Sequence, residues 1–325
     1  MISAEDLDRL RGKTVIASVS GGKDSAYLSL LLHEAGVEHQ RIFFDVGWEH
    51  PRTYEYLRGP LTAKLGPILE LRAEVHFTAN ELGRILAAID DLPLVSAQFW
   101  AGSPMVAMCL KKSMFPTGVK ARWCTDLLKK NVAFRHFETL IDGGTEVVNC
   151  IGIRAAESEA RAQDLRWEPL EWSRRNGQHY DCDVFRPALH ASIGDVVATH
   201  QRHGLAPNPL YLQRGIERVG CAPCVNERKE SLRTLADTLP ERIDLLRELE
   251  TAVTRLAAIR LAGQEIRSEN WHDPAWFVVS GKGCVPIDKM VEWSRTLRGG
   301  KHEDRSLQLF PNLNDGCMRW GLCER

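Results

Sequence analysis

The sequence predicts an α/β protein: a mostly parallel sheet covered by helices, followed by a mainly helical region that carries cysteine pairs. Three observations lead there. Short apolar or β-branched runs at 14–19, 41–46 and 69–77 alternate with helical patterns near 24–36, 51–66 and 78–90. The first run ends in a glycine turn, Ser20-Gly21-Gly22-Lys23-Asp24-Ser25, that leads directly into a helix. Farther on, Ile243, Leu246, Leu249, Val253 and Leu256 recur on one face of Pro240 to Leu261, a stripe of core-packing type with a dimer seam as the lesser alternative. A sheet domain over 1–205 and a helical, cysteine-bearing region over 206–325 are expected.

With 325 residues, 44% hydrophobic and 26% charged, the chain is long enough to bury a sizeable core in one large or two modest domains. A net charge of −1 argues against a globally basic nucleic-acid binder but leaves room for a local basic groove. The first residues, Met1 to Asp6, are acidic, and no apolar run approaches membrane-spanning length, so a cytoplasmic protein with no membrane association is expected. Nine cysteines in a reducing compartment then read as free thiols, metal ligands or redox groups rather than disulfides.

The first strand and its turn carry the strongest chemistry. A buried parallel strand, a glycine turn and a helix starting at Lys23 or Asp24 form an anion site, because unpaired N–H groups and the positive end of the helix dipole converge there. Gly21 and Gly22 let the backbone approach a ligand closely, Lys23 adds a cation, and Ser20 and Ser25 add hydroxyls. Asp24 fits a phosphate site if Mg2+ lies between carboxylate and phosphate. The ordinary NTPase P-loop places four residues between its first glycine and the Gly-Lys pair, and this turn does not.

The second strand ends in Asp45-Val46-Gly47-Trp48-Glu49-His50-Pro51-Arg52-Thr53-Tyr54, which brings Asp45 and Gly47 to the edge of the sheet where the glycine turn lies, with Pro51 suited to a first helical turn. Over 91–124 periodicity is poor and Gly102, Pro104, Pro116 and Gly118 read as loops around a short helix. A basic block comes next, with Lys111, Lys112, Lys120, Arg122, Lys129, Lys130 and Arg135; it is a solvated face or a groove for a phosphate-bearing substrate. Within it Arg122-Trp123-Cys124-Thr125 precedes a helix from Asp126 to Phe137, with Thr125 as N-cap. Glu146 to Ile153 is a further buried strand, leading to Arg154-Ala155-Ala156-Glu157-Ser158.

Arg166 to Gly177 interleaves tryptophans with arginines and is read as a hairpin packed on its tryptophans rather than a base-stacking surface. A helix near Ile193 to His203 closes the sheet domain, and Pro207-Asn208-Pro209-Leu210-Tyr211 links it to the helical region. Then come Cys221-Ala222-Pro223-Cys224 and, in the tail, Cys317 and Cys323 with five residues between them. Brought together, the two pairs supply four thiolates, which suits tetrahedral Zn2+ or a [4Fe–4S] cluster equally by spacing. Cys109, Cys182 and Cys284 lack partners at useful spacing, Cys150 is read as core, and the histidines form no ligand pair.

Four of these motifs carry a family resemblance. Ser20 to Ser25 resembles the pyrophosphate-binding loop of the N-type ATP pyrophosphatases. The Asp45 to Tyr54 pattern, the Arg122-x-Cys124-Thr125-x-x-Leu128-Lys129 motif and Gly152-Ile153-Arg154-x-x-Glu157-Ser158 resemble signatures of the phosphoadenosine phosphosulfate reductase family, in which Pro207 to Tyr211 also recurs. The resemblance implies a PP-loop, Rossmann-like fold of the adenine-nucleotide alpha hydrolase kind. It implies ATP cleaved between its α and β phosphates, with Ser20, Gly21, Gly22, Ser25, Asp45, Gly47 and Gly152 around the nucleotide, Lys23 and Arg154 on pyrophosphate, Asp24 on Mg2+, and Arg122 and Lys129 on the second substrate.

The expected activity is adenylation of a substrate, releasing pyrophosphate, in sulfur-transfer or nucleic-acid modification chemistry. The resemblance favours a [4Fe–4S] cluster on Cys221, Cys224, Cys317 and Cys323 over structural Zn2+, since the DNA phosphorothioation protein of this superfamily similarly couples the fold to such a cluster. Cluster-bearing sulfonucleotide reductases carry two cysteines where this chain has Cys124 alone, leaving Cys124 a cluster ligand, a reactive thiol or a packed residue. The acceptor, a nucleic acid or a small metabolite, and a sulfur- or electron-donor protein are unspecified partners, and a homo-oligomer is compatible. One alternative is a reductase of adenylyl sulfate or its 3′-phosphorylated form. Against it stand the lysine of the loop and a tail reading Asp315-Gly316-Cys317-Met318-Arg319 where those reductases carry Glu-Cys-Gly-x-His. The other alternative is a nucleotide-binding redox sensor without turnover.

Overall fold

The computed structural model describes residues 2–117, 122–262, 273–279 and 282–296. Helix α1 (Ala4–Leu10) opens on a capping box made by Ser3 and Asp6 and leads to strand β1 (Thr14–Ser18). The apolar run of β1 is central in a six-stranded sheet of order β3-β2-β1-β4-β6-β5, so Val15, Ile16 and Ala17 are covered on both faces. Helix α2 (Lys23–Glu34) and strand β2 (Gln40–Asp45) follow. Then come α3 (Pro51–Tyr56), a π turn over Leu57–Leu61 that contains Pro60, α4 (Thr62–Leu65) and β3 (Ile68–Arg72). Strands β1 to β3 run parallel, as the alternating apolar and helical runs predict.

Helix α5 (Ala79–Ile89) starts at a Thr78–Glu81 capping box. The next stretch differs from expectation: it holds two helices, α6 (Pro93–Trp100) and α7 (Pro104–Lys112), rather than loops around one short helix. Pro93 and Pro104 open these helices at their first turn, where a missing N–H costs nothing. A single turn α8 (Trp123–Thr125), a π turn over Asp126–Lys130 and α9 (Asn131–Asp142) then form one winding path. Thr125 is helical and makes no cap; Arg122 holds the N-cap position instead.

Strand β4 (Val147–Cys150) pairs parallel with β1, and Cys150 is core, as read from the sequence. After α10 (Glu159–Ala162) the hairpin β5 (Trp167–Ser173) and β6 (His179–Phe185) completes the sheet, β6 parallel to β4 and β5 antiparallel at the edge. The hairpin does pack on its tryptophans: Trp172 stacks on Phe134 of α9 at 4.7 Å and Trp167 on Phe185 at 4.1 Å. Helix α11 (Ile193–Arg202) precedes a 3-10 turn over Pro209–Leu212, and α12 (Lys229–Thr238), α13 (Pro240–Leu261), a two-stranded ribbon β7 (Phe277–Val279) and β8 (Gly283–Val285), and α14 (Ile287–Ser294) finish the described chain.

The stripe on α13 is core: Ile243, Leu246, Leu249, Val253 and Leu256 are buried in one cluster with residues of α5, α6 and α7 and with Trp48 and Trp276. Smaller clusters cover the two sheet faces, one under α2 and one under α9. Among the described residues no helix is long and apolar enough to cross a membrane.

Candidate functional site

The carboxyl ends of β1, β2 and β4 meet at a cleft of about 260 Å3, lined by Ser20, Gly22, Lys23, Asp24 and Ser25 on one side and by Ile151, Gly152 and Ile153 on the other. That is where an open parallel sheet places ligands. Its floor is built by the glycine turn. Gly21 has φ +71°, and a Cβ there would lie 2.9 Å from Thr53. The turn is tied internally by the Ser25 hydroxyl, which accepts from the Ser20 N–H at 3.0 Å and donates to the Gly22 carbonyl at 2.9 Å. Helix α2 starts at Lys23 with no side-chain cap from Gly22, and its first N–H donates to the Tyr211 hydroxyl at 3.2 Å. Asn208 donates to the Gly21 carbonyl at 3.1 Å, so the Pro207–Tyr211 link folds back to support the turn.

The charges at the cleft are paired around Asp24, with cations in excess. Lys23 Nζ stands 3.3 Å from the Asp24 carboxylate and 4.9 Å over the Tyr211 ring, and Arg154 Nε donates to the other Asp24 oxygen at 2.5 Å. Arg154 and Lys23 are both buried, and Arg154 reaches Asp24 because β4 comes so close to the start of α2 that a Cβ on Gly152 would lie 2.6 Å from the Asp24 carbonyl. Lys129, Arg161 and Arg218 add cations to the lining, with Glu157 as a further anion.

Five of the residues read from the sequence are outside the cleft lining: Gly21 and Arg154 back it, and Asp45, Gly47 and Arg122 stand elsewhere. Asp45 is fully buried beneath the site and does not line the cleft: it accepts from the Gly47 N–H at 2.7 Å, from the Tyr54 hydroxyl at 2.6 Å and from Arg72 Nε at 2.7 Å. It holds the turn after β2. Gly47, with φ +67°, allows Ser103 and Pro104 to pack where a Cβ would lie 2.8 Å from them. Arg122 sits at the N-cap position of α8, outside the cleft lining.

Lys129 does line the cleft, and it also reaches the second constellation. Its ammonium is 3.9 Å from Glu49 Oε1, and the Cys221 thiol donates to the same oxygen at 3.9 Å. The Cys221–Cys224 hairpin is pinned there by backbone: Glu49 and Cys221 form a β-bridge, Ala222 N–H donates to the Trp48 carbonyl at 3.0 Å, and Trp48 Nε1 donates to the Pro223 carbonyl at 3.1 Å. Glu49 is fully buried, its Oε2 has no hydrogen-bond partner, and burial raises its carboxyl above the usual range. Burial also raises the Cys221, Cys224 and Cys124 thiols, which lie close enough to raise one another.

Cys124 therefore sits among the cysteines of the hairpin rather than apart from them. Cys317 and Cys323 lie outside the described residues, and among the described residues no three His, Cys, Asp or Glu side chains are placed to hold a metal ion. The described residues thus contain only the hairpin half of the expected four-thiolate centre.

Residues 109–227 match the phosphoadenosine phosphosulfate reductase domain, a span that includes Lys129, Gly152, Arg154 and the Cys221–Cys224 hairpin. The uncharacterized 37.8 kDa protein in the gpa 5′ region of Escherichia phage 186 is 32% identical over 336 residues, covering 95% of this chain and 96% of its own. The chain belongs to the phosphoadenosine phosphosulfate reductase family. Within the family's reach lies a second phage protein, the uncharacterized nin region protein ORF290 of Escherichia phage lambda, 31% identical over 146 residues, 44% of this chain and 48% of its own.

Two solved structures show a partial likeness to this family member. Phosphoadenylyl-sulfate reductase from Candida auris, in a phosphate complex, matches at TM-score 0.38 and 15% identity over 68% of this chain and 96% of its own. FMN adenylyltransferase of Candida glabrata with FMN and an ATP analogue matches at TM-score 0.38 and 14% identity, over 67% of this chain and 57% of its own.

Sequence reasoning missed Tyr211, Glu49, Glu157, Arg161 and Arg218 as parts of the site. Tyr211 was within reach, since its Pro-Asn-Pro-Leu-Tyr setting reads as a link out of the sheet domain. Glu49 had no pattern of its own, because only the fold shows that the residue after Trp48 meets the cysteine hairpin.

Proposed function

We propose that the protein is an enzyme that binds ATP with its phosphates on the Ser20–Ser25 turn and transfers AMP to an oxygen of an acceptor, releasing pyrophosphate. The observation that carries this reading is the start of α2 at a glycine turn with no side-chain cap from Gly22, where buried Lys23 and Arg154 are both held on Asp24. In the step itself an acceptor oxygen bonds to the α phosphorus as the bond to the β-phosphate bridging oxygen breaks, and charge grows on the departing pyrophosphate. Preorganised N–H groups and cations aimed at that charge are the protein's main contribution.

Lys23 and Arg154 supply those cations. Both are engaged with Asp24 in the structure, so the phosphates would take over Arg154 and free the Asp24 carboxylate. Bound Mg2+ would neutralise phosphate charge there, with Asp24 as its protein ligand. Lys129 would orient the acceptor; its position bordering both the cleft and Glu49 beside Cys221 supports this role. Sulfur transfer after adenylation rests on family resemblance and on the thiols beside Lys129, and a [4Fe–4S] or Zn2+ centre completed by Cys317 and Cys323 is part of the same proposal. The second reading, reduction of a sulfonucleotide, is favoured by the family match over 109–227.

A pyrophosphate-release assay with ATP against RNA, DNA and small-metabolite acceptors separates the two. Acceptor-dependent pyrophosphate release, lowered at least about a hundredfold in Lys23→Ala, is expected for loss of a charge contact at the transition state. Sulfite formed from a sulfonucleotide with a thioredoxin donor, with no pyrophosphate from ATP, would overturn the adenylation reading.

A further inference from the structure

The cations at the cleft divide into two sets. On the side of the glycine turn, Lys23 Nζ stands 3.3 Å and Arg154 Nε 2.5 Å from Asp24 oxygens, and Arg161 is paired with Glu157. Asp24 and Glu157 are the carboxylates among the described residues that line the cleft, so both are already engaged. The other lining cations, Lys129 and Arg218, belong to the end beside the cysteine hairpin. Lys129 comes from the π turn and reaches Glu49 Oε1 at 3.9 Å, an oxygen it shares with the Cys221 thiol. Arg218 lies in the run Arg218-Val219-Gly220 that leads into Cys221. Both stand close enough to the Cys224 thiol to favour its ionised form.

Arg218 is exposed and makes no ion pair among the described residues. Glu227, a carboxylate that feels its charge, is instead engaged by the Cys224 N–H, from which it accepts at 2.9 Å, and neighbouring Glu217 is paired with Arg228. Two cations lining one cleft of about 260 Å3 with no close carboxylate between them repel each other. An oxyanion bound by both relieves that repulsion and gains charge-assisted hydrogen bonds. A neutral acceptor needs no such pair. An anionic acceptor does, because its own charge must be neutralised before it can approach the negatively charged α phosphate.

We propose that Lys129 and Arg218 form a second anion subsite, and that the acceptor carries an oxyanion there, a phosphate or a carboxylate. Arg218 is the residue that selects for it, since a guanidinium fork matches the paired oxygens of either group. The role as acceptor site rests on the adenylation reading; anion binding at the subsite does not.

The test is calorimetry of the full chain in saturating AMPCPP with Mg2+, so that the glycine turn is filled before a second anion is added. The probes are inorganic phosphate, succinate and, as the neutral counterpart, succinamide. Phosphate or succinate should bind saturably and succinamide should not. Phosphate bound more tightly than succinate assigns a phosphate-bearing acceptor, and the reverse a carboxylate. Arg218→Gln should weaken that binding about tenfold, the worth of one charge-assisted hydrogen bond, while AMPCPP affinity changes far less. Arg214→Gln removes an exposed cation of the same segment that does not line the cleft, and it should leave anion binding as it was.

No saturable binding of either anion, equal binding of succinamide, or equal losses in Arg218→Gln and Arg214→Gln overturns the proposal. If AMPCPP binds with dependence on Lys23 while neither anion binds, the subsite fails and the adenylation reading stands. Anion binding lost in Arg218→Gln, in a chain that releases no pyrophosphate with any acceptor, keeps the subsite and removes the adenylation reading.

Discussion

At the scale of single residues, the site depends on how closely backbone can approach backbone. Gly152 has an ordinary φ, so its need is space alone: a methyl group would sit 2.6 Å from the Asp24 carbonyl, with both atoms on main chain that cannot swing aside. Gly152→Ala should therefore cost about 1–3 kcal/mol of stability, the usual range for overpacking. It should also separate Arg154 from Asp24 and weaken AMPCPP binding more than it lowers the melting temperature. Calorimetric unfolding and titration on one preparation compare the two, and a variant with unaltered nucleotide affinity would show that the close approach does not shape the site. The local structure of the Ser20–Ser25 stretch, a glycine turn that starts a helix, was legible in the sequence, because local chemistry explains it. Residue identity misled at Asp45 and Gly47, whose position at a strand end is that of a ligand-binding pair but whose partners, Tyr54, Arg72 and Ser103, turn them into supports for the turn.

At the scale of elements, the helices after the sheet are tied together by one half-buried carboxylate. Glu250 on α13 accepts from the Trp276 N–H at 2.9 Å and from the first N–H of α14, that of Ile287, at 3.1 Å. Burial pushes its carboxyl up to about 7 against an ordinary 4.5. The folded state keeps the proton up to about 7 while the unfolded chain gives it up near 4.5, so stability falls as pH rises between those values and levels off above. The loss is at most about 3 kcal/mol, reduced by solvent near the carboxyl. Urea midpoints at intervals from pH 4.5 to 8 should show this slope in the wild-type chain relative to Glu250→Gln, and parallel profiles would contradict it. Element type was well read where periodicity was long, as in α13, and for the parallel strands. It failed at α6 and α7 because Gly102 and Pro104, which follow the end of one helix and open the next, look in one dimension like loop residues.

For the whole molecule, the notable relation is that the cleft at the Ser20–Ser25 turn and the cysteine hairpin are neighbours, joined through Lys129 and Glu49. Neither spacing nor composition reveals this, since Glu49, Lys129 and Cys221 are far apart in the chain and meet only when the segment after Trp48 bridges to Cys221. The metal proposal belongs to this scale too. Anaerobically purified protein should carry iron or zinc, and Cys221→Ser should remove it and lower the unfolding midpoint, since metal binding is coupled to folding. Metal content unchanged by that substitution, measured by elemental analysis, would rule out the hairpin as a ligand source. The sequence kept the glycine turn and the Cys221–Cys224 hairpin apart, and the fold brings Lys129 of the cleft lining and Cys221 to the same Glu49 carboxylate.

The π turn over Asp126–Lys130 gives the helical path from α8 to α9 an angular offset along a continuous axis. Trp123, Leu128 and Val132 project into the large core shared with α13, whereas Ala133 and Phe137 project into the layer against the sheet. An α-helix advances about 100° per residue, so a strictly regular helix would keep one phase throughout. The wide turn shifts that phase just before α9, whose adjacent Val132 and Ala133 then face the two cores. One stretch of chain thereby acts as two gears on a single shaft, meshed with separate cores, and Lys129 lies on the coupling between them.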